Sequence, residues 1–230
     1  MNRALTVARL QSVAWPSVVG WSWGILASSF LINLAIFATI RDADLEPTTG
    51  GLASIYIVMF IACINVITQD FPFAIGLGMS RRSFYLGSVI HFGAQAIGYA
   101  GVLYLLSVLE EATGGWGVGL RFFGLPFFLV ENPVLRYLAF AIPFLLLGFI
   151  GFAIALVFKR WGVNGMLTLG TVALVLFGGA AVLATWQRWW AAIGDWFADQ
   201  SGGALLVGWP ALLTLPLAVA SWLIIRRATP

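Results

Sequence analysis

The residues able to do chemistry are few, and their spacing narrows what they can do. The chain has one histidine, His91, one helical turn before Gln95 in an apolar stretch. That spacing suits a polar pair at a membrane interface; proton transfer would need a carboxylate at the same depth. None is expected there, because every Asp and Glu maps to a loop or to the end of an apolar run. No catalytic residue is therefore assigned. Asn33, Asn65 and Gln69 are the other polar groups in or near apolar runs. Asn33 and Asn65, with Gln95, either bond between helices or line a pathway. The phosphate-cradling Gly-x-x-x-x-Gly-Lys-Ser/Thr pattern is absent, as are Gly-x-Ser-x-Gly and His-Glu-x-x-His. The single cysteine, Cys63, allows neither an intrachain disulfide nor a cysteine metal site. The chain itself is expected to bind no cofactor and no metal.

The elements that carry these residues follow from composition. Of the 230 residues, 61% are hydrophobic and 9% charged, against about 25% charged in soluble domains. This is the composition of an all-α membrane protein, read as a single transmembrane domain over residues 1–230. Six runs are long enough to span, at 16–40, 51–69, 85–109, 134–158, 165–186 and 204–225. Arg3 and Arg9 precede the first run without a small-residue cleavage site, and that run is too long for a signal-peptide core, so no cleavage is expected. Residues 1–15 are read as an interfacial helix. Val7, Leu10 and Ala14 share one side and Asn2, Thr6 and Arg9 another, with Leu5 and Val13 breaking the pattern. Pro143, Pro210 and Pro216 are expected to kink their helices. Gly20, Gly24 and Ser28 form a small-residue line suited to close helix contact, within the chain or across a dimer.

Charge orients the spans. The termini and the loops at 70–84 and 159–164 hold Arg3, Arg9, Arg81, Arg82, Lys159, Arg160, Arg226 and Arg227, with Asp70 as the one negative charge. The other loops hold Arg41, Arg121, Arg136 and Arg188 against Asp42, Asp44, Glu46, Glu110, Glu111, Glu131, Asp195 and Asp199. Lys and Arg thus divide eight to four, which places both termini and the 70–84 loop in the cytoplasm. Trp15, Trp116, Trp161, Trp186, Trp189, Trp190 and Trp222 fall near span ends, as interfacial indoles do. Outside, residues 121–130 are apolar but too short to span and are expected to pack at the interface. Residues 187–203 form an amphipathic element before the last span. Within it Trp189, Ile193, Trp196 and Phe197 share a face opposite Arg188, Asp195 and Asp199.

The stretch from Asp70 to Tyr85 carries more apolar surface than a connecting loop needs. Asp70 can cap a short helix and Pro72 is tolerated near its start. Phe71 with Ile75, and Phe73 with Leu77, are i,i+4 pairs. Gly78 suits a left-handed stop, and Ser80 a cap for the next helix, which opens on Arg81-Arg82.

Phe73-Ala-Ile-Gly-Leu-Gly-Met-Ser-Arg-Arg-Ser-Phe-Tyr-Leu-Gly87 resembles the cytosolic loop of the permease subunits of ABC-2 type ABC transporters. The layout is similar over the whole chain: an interfacial N-terminal helix, six transmembrane helices and an outer amphipathic element before the last span. The resemblance implies that the 70–84 loop is a coupling helix docking on a cytosolic P-loop ATPase subunit, which would bind ATP and Mg. It also implies a second permease subunit, read as a homodimer, and outward transport across a bacterial cell membrane; it names no substrate. Phe71, Phe73, Ile75, Leu77, Met79, Arg81 and Arg82 are the expected partner contact, the arginines pairing with acidic groups or lipid phosphates. Lys159, Arg160 and Trp161 are a smaller second contact. No nucleic acid is expected as a partner. The competing readings are a non-transporting anchor or sensor subunit, and a membrane-embedded enzyme using His91.

Overall fold

The computed structural model describes residues 3–12, 15–39, 48–126, 128 and 130–227. Asn2, Val13, Ala14, Arg41, Asp42, Asp44, Glu46, Phe127 and Leu129, and the side chains of Arg3 and Trp15, lie outside the described residues. In hydrocarbon every backbone polar group must be satisfied within the protein, and a continuous apolar sequence does this as helix. The described chain is almost wholly helical: α1 (Arg3–Ser12), α2 (Trp15–Thr39), α3 (Ala53–Asn65), α4 (Phe71–Gly76), α5 (Arg81–Ala112), α6 (Pro133–Trp186), α7 (Trp190–Ala198) and α8 (Trp209–Ile225). π-helical turns join α3 to α4 and lead into α8.

Five helical stretches are long and apolar enough to cross a membrane: Pro16–Thr39, Ala53–Gly76, Arg81–Ala112, Pro133–Trp186 and Ala204–Ile225. The runs at 134–158 and 165–186 both lie on α6. Kept straight, its 54 residues would reach about 80 Å, against about 30 Å of bilayer hydrocarbon. Regular helix stops at Gly162, with φ 62° and ψ −151°, a conformation essentially confined to glycine. Gly162 is therefore the interruption; Pro143 lies inside the first part of α6. Asn132 starts α6 by accepting from the N–H groups of Val134 (2.9 Å) and Leu135 (3.2 Å).

The 121–130 loop departs from expectation. Instead of resting at an interface, Phe122 and Phe123 are buried in the core, Phe122 edge-on to Phe30 with 5.3 Å between centroids. Glu110 is the cause. It sits near the end of α5 at 2% exposure. Its Oε2 accepts from Trp116 Nε1 (2.9 Å) and from the backbone N–H groups of Phe122 (2.9 Å) and Phe123 (3.0 Å), and its Oε1 from that of Gly124 (2.6 Å). A buried carboxylate is costly alone; charge-assisted bonds of this kind offset the cost and hold the loop inward. The adjacent Glu111 is exposed and pairs with Arg136 at 2.8 Å.

At the other end of α5, α1 packs closely. Ala4, Val7 and Gln11 are buried, while Leu10 is half-buried and Leu5 exposed, so the buried stripe among the described residues runs through Ala4, Val7 and Gln11. Gln11 Nε2 donates to Ser88 Oγ at 2.8 Å. A Cβ on Gly87 would lie 2.5 Å from the Ala4 carbonyl oxygen and 2.6 Å from Val7 Cβ. Gly87→Ala should therefore lower thermal stability, since overpacking costs about 1–3 kcal/mol. Gly98→Ala, where an added Cβ meets nothing within 4 Å, should raise it by up to about 1 kcal/mol through helix propensity. Thermal unfolding of the two detergent-purified variants checks the opposite signs.

Among the described residues an added Cβ at Gly20 or Gly24 meets nothing within 4 Å, and with Trp21 and Ser28 these glycines wall an open groove. Near the amphipathic element, Arg188 has φ 56° and α7 begins two residues later. No α7 side chain is buried, and Trp196 leans on Trp209 at 5.6 Å between centroids.

Candidate functional site

The 70–85 stretch keeps its predicted stop and restart but not its predicted beginning. α3 runs through the π-helical turn Val66–Asp70 directly into α4, so Asp70 has helical dihedrals and caps nothing. The end of α4 follows the sequence signals. Gly78 takes φ +78° and donates to the Ile75 carbonyl at 2.9 Å, and the Met79 N–H reaches the Ala74 carbonyl at 3.1 Å, the two bonds of a Schellman motif. Ser80 Oγ then accepts from the Ser83 N–H at 3.1 Å and opens α5.

Side chains of the expected contact set divide. Phe71 is fully buried with its ring 5.2 Å from Phe84. It anchors α4 to the core and presents nothing to a partner, which removes it from the set. Ile75 and Met79 are half-buried against the same core. Phe73 and Leu77, one turn apart, are 58% and 57% exposed. Arg81 turns back into the chain, Nη1 donating to the Arg226 carbonyl at 2.8 Å, while Arg82 is exposed.

That hydrogen bond ties the start of α5 to the end of α8. Lys159, Arg160 and Trp161 come immediately before the Gly162 break. The Arg160 guanidinium lies 4.4 Å from the Trp161 ring centroid and shares a surface hollow with Arg226 and Arg227. Arginines from α5, α6 and α8 thus gather at one end of the molecule. Along α5, Glu110 and Glu111 stand about 45 Å away. Other exposed apolar side chains, such as Leu174 and Phe177, lie within a long apolar helix where lipid can cover them. Phe73 near the end of the Ala53–Gly76 stretch and Leu77 just after it stand beside the basic end, where Trp161 and Val163 are exposed as well.

Near that end lies a polar cavity of about 330 Å³, lined by Gln11, Asn65, Gln69, Asp70, His91 and Gln95 among apolar neighbours. Two of the three expected pathway residues, Asn65 and Gln95, meet here. Asn33 does not; its Nδ2 donates to the Ser29 carbonyl within α2 at 2.8 Å. The expectation that no carboxylate shares the depth of His91 is corrected, because the continuous α3–α4 helix brings Asp70 to the same cavity. Nor does Gln95 pair back with His91: its Nε2 donates forward to the Tyr99 hydroxyl at 3.0 Å. Gln11 and Gln95 are each at least nine-tenths buried, and the Oε1 of each has no hydrogen-bond partner among the described residues. Among those residues no group of three or more His, Cys, Asp or Glu could hold a metal ion.

No protein-family model, curated protein or solved structure matches the chain. Its function is argued from these two features, the exposed apolar pair at the basic end and the polar cavity behind it. Sequence reasoning passed over Gln11 and Asp70 as cavity residues. For Gln11 a signal existed, since Ala4, Val7 and Gln11 are spaced as one helical stripe. For Asp70 none did, because a residue that could cap a helix reads the same as one inside it.

Proposed function

We propose that the chain is the membrane subunit of an ATP-driven exporter in a bacterial cell membrane, working as a pair of copies with two cytosolic P-loop ATPase subunits. It crosses the membrane six times, α6 supplying two passes on either side of Gly162, with both termini in the cytoplasm. The observation that carries this is the exposed Phe73–Leu77 pair on a short helix whose other face, Phe71 and Ala74, is locked into the core. An apolar pair held outward next to arginines suits a partner's groove. The gathering of Arg81, Arg160, Arg226 and Arg227 at that end agrees with a cytosolic placement. The family resemblance of residues 73–87 supplies the identity of the partner.

A second reading has one observation in its favour. Asp70 and His91, a carboxylate and an imidazole, line one cavity, and proton-coupled transporters use such groups. The two readings separate on energy source. In inverted membrane vesicles, uptake should require ATP and the ATPase subunit and should persist after an uncoupler is added. Uptake that continues without ATP and collapses with the uncoupler contradicts the export proposal. Absence of any ATP-dependent uptake, with the ATPase still bound, would mark an anchor subunit.

A further inference from the structure

We propose that the arginine hollow between α8 and the part of α6 before Gly162 binds the phosphate head of an anionic phospholipid, an acyl chain of which lies in the cleft between α5 and α8. The inference goes beyond the export reading and does not depend on it; it needs only that the long apolar helices lie in a bilayer. The first observation is uncompensated charge. Arg160, Arg226 and Arg227 line one hollow of about 360 Å³. No carboxylate lines it, and none of the three arginines makes an ion pair among the described residues. The second is a mainly apolar cleft of about 450 Å³, walled by Tyr85, Leu86, Val219 and Trp222, with Arg82 also on its wall. The Tyr85 hydroxyl donates to the Ala218 carbonyl at 2.7 Å, so that donor is already engaged.

Arg226 joins the two features. It follows Trp222 by one helical turn and Val219 by two, which puts all three on one side of α8. Its guanidinium lies 5.9 Å from the Trp222 ring centroid. Arg81 Nη1 takes the Arg226 carbonyl at 2.8 Å, which offsets the partial negative charge that a helix end brings to an anion site. Guanidinium forks match phosphate oxygens, and basic hollows between membrane helices suit phospholipid heads. Arginines placed only to orient the chain need neither convergence from two helices nor a cleft beside them. A free phosphate or an acidic protein segment would use the arginines and leave the cleft unfilled. A phospholipid uses both.

The test is native mass spectrometry of the purified full chain in a non-ionic detergent. The probes are dioleoylphosphatidylglycerol, dioleoylphosphatidylcholine and the chain-free head glycerophosphoglycerol. Phosphatidylglycerol should bind about tenfold or more tightly than phosphatidylcholine, since each arginine near an anionic lipid adds about fivefold. The chain-free head, at the lipid's own concentration, should not displace it. Arg160→Gln and Arg227→Gln should each weaken phosphatidylglycerol by about fivefold and leave phosphatidylcholine unchanged. Arg9→Gln removes the same charge from an exposed position on α1, outside the hollow and the cleft, and should change neither. Arg227 is exposed, so its variant decides the matter if Arg160→Gln does not fold. Equal binding of the two lipids, which would leave the arginines to an acidic protein partner, overturns the proposal. So does displacement by the chain-free head, or a loss in Arg9→Gln equal to that in Arg227→Gln.

Discussion

Glu110→Ala is expected to be the most damaging single substitution at the α5 end opposite the arginines. Its carboxylate is the shared acceptor for Trp116 Nε1 and for the backbone N–H groups of Phe122, Phe123 and Gly124. Removing it strands these donors in the core, each at about 1–3 kcal/mol if left unpaired. The loop can relax outward and recover some bonds to water, but only by exposing Phe122 and Phe123. A net loss of about 3–5 kcal/mol follows from either route, enough to lower the thermal midpoint by roughly 10 °C in a protein of this size. Glu110→Gln keeps one acceptor oxygen but turns an NH2 group toward donors, so it should fall in between. Glu111→Gln removes the charge that faces the largely buried Arg136 guanidinium but keeps an acceptor oxygen for it, so it should cost less than Glu110→Ala, about 1–3 kcal/mol. Thermal unfolding of the three detergent-purified variants gives the order. Equal midpoints for the Glu110→Ala and Glu111→Gln variants would mean that the loop is not held by this carboxylate.

The second large effect is expected at the basic end. Phe73 and Leu77 are exposed in the isolated chain, so truncating them should leave its stability almost unchanged. Burial of either side chain in a partner groove is worth about 1.5–3 kcal/mol, so each alanine variant should weaken docking by roughly tenfold or more. The double variant should lose nearly all recovery of the ATPase subunit. Phe71→Ala should behave oppositely. Its side chain is fully buried against Phe84, and a Phe→Ala cavity costs about 3–5 kcal/mol of fold stability. Arg82→Ala should weaken docking little, by about 0–1 kcal/mol, and less at high salt. If the stretch served only to set topology, the order would invert: the apolar pair would be dispensable, and loss of the arginines would disturb insertion.

The features legible in the sequence were those fixed by local geometry. Gly78 and Ser80 announced a stop and a restart, because a left-handed backbone and a side-chain cap each depend on one residue type at one place. Apolar run length located the long helices. What stayed hidden depended on how helices face one another. The i,i+4 spacing of Phe71–Ile75 and Phe73–Leu77 marks two faces without saying which is inward; packing against Phe84 decides it. Asp70 and His91 are far apart in sequence and meet only because α3 and α5 wall one cavity. Glu110 was half-legible. Counted along α5 from Phe92, the positions Gln95, Tyr99, Leu103, Ser107 and Glu110 form one helical stripe, all buried, and Glu111 falls beside it. Taking both glutamates as loop charges missed that stripe.

The claim that α4 is a docking surface is tested most directly by light-activated cross-linking. A photoreactive phenylalanine analogue placed singly at Phe73, Leu77 or Phe177 is irradiated in membranes containing the ATPase subunit. The expected result is an adduct with the ATPase from Phe73 and Leu77, and none from Phe177, which is exposed on α6 fifteen residues beyond the Gly162 break. No ATPase adduct from either Phe73 or Leu77, in chains that insert normally, would contradict the docking role.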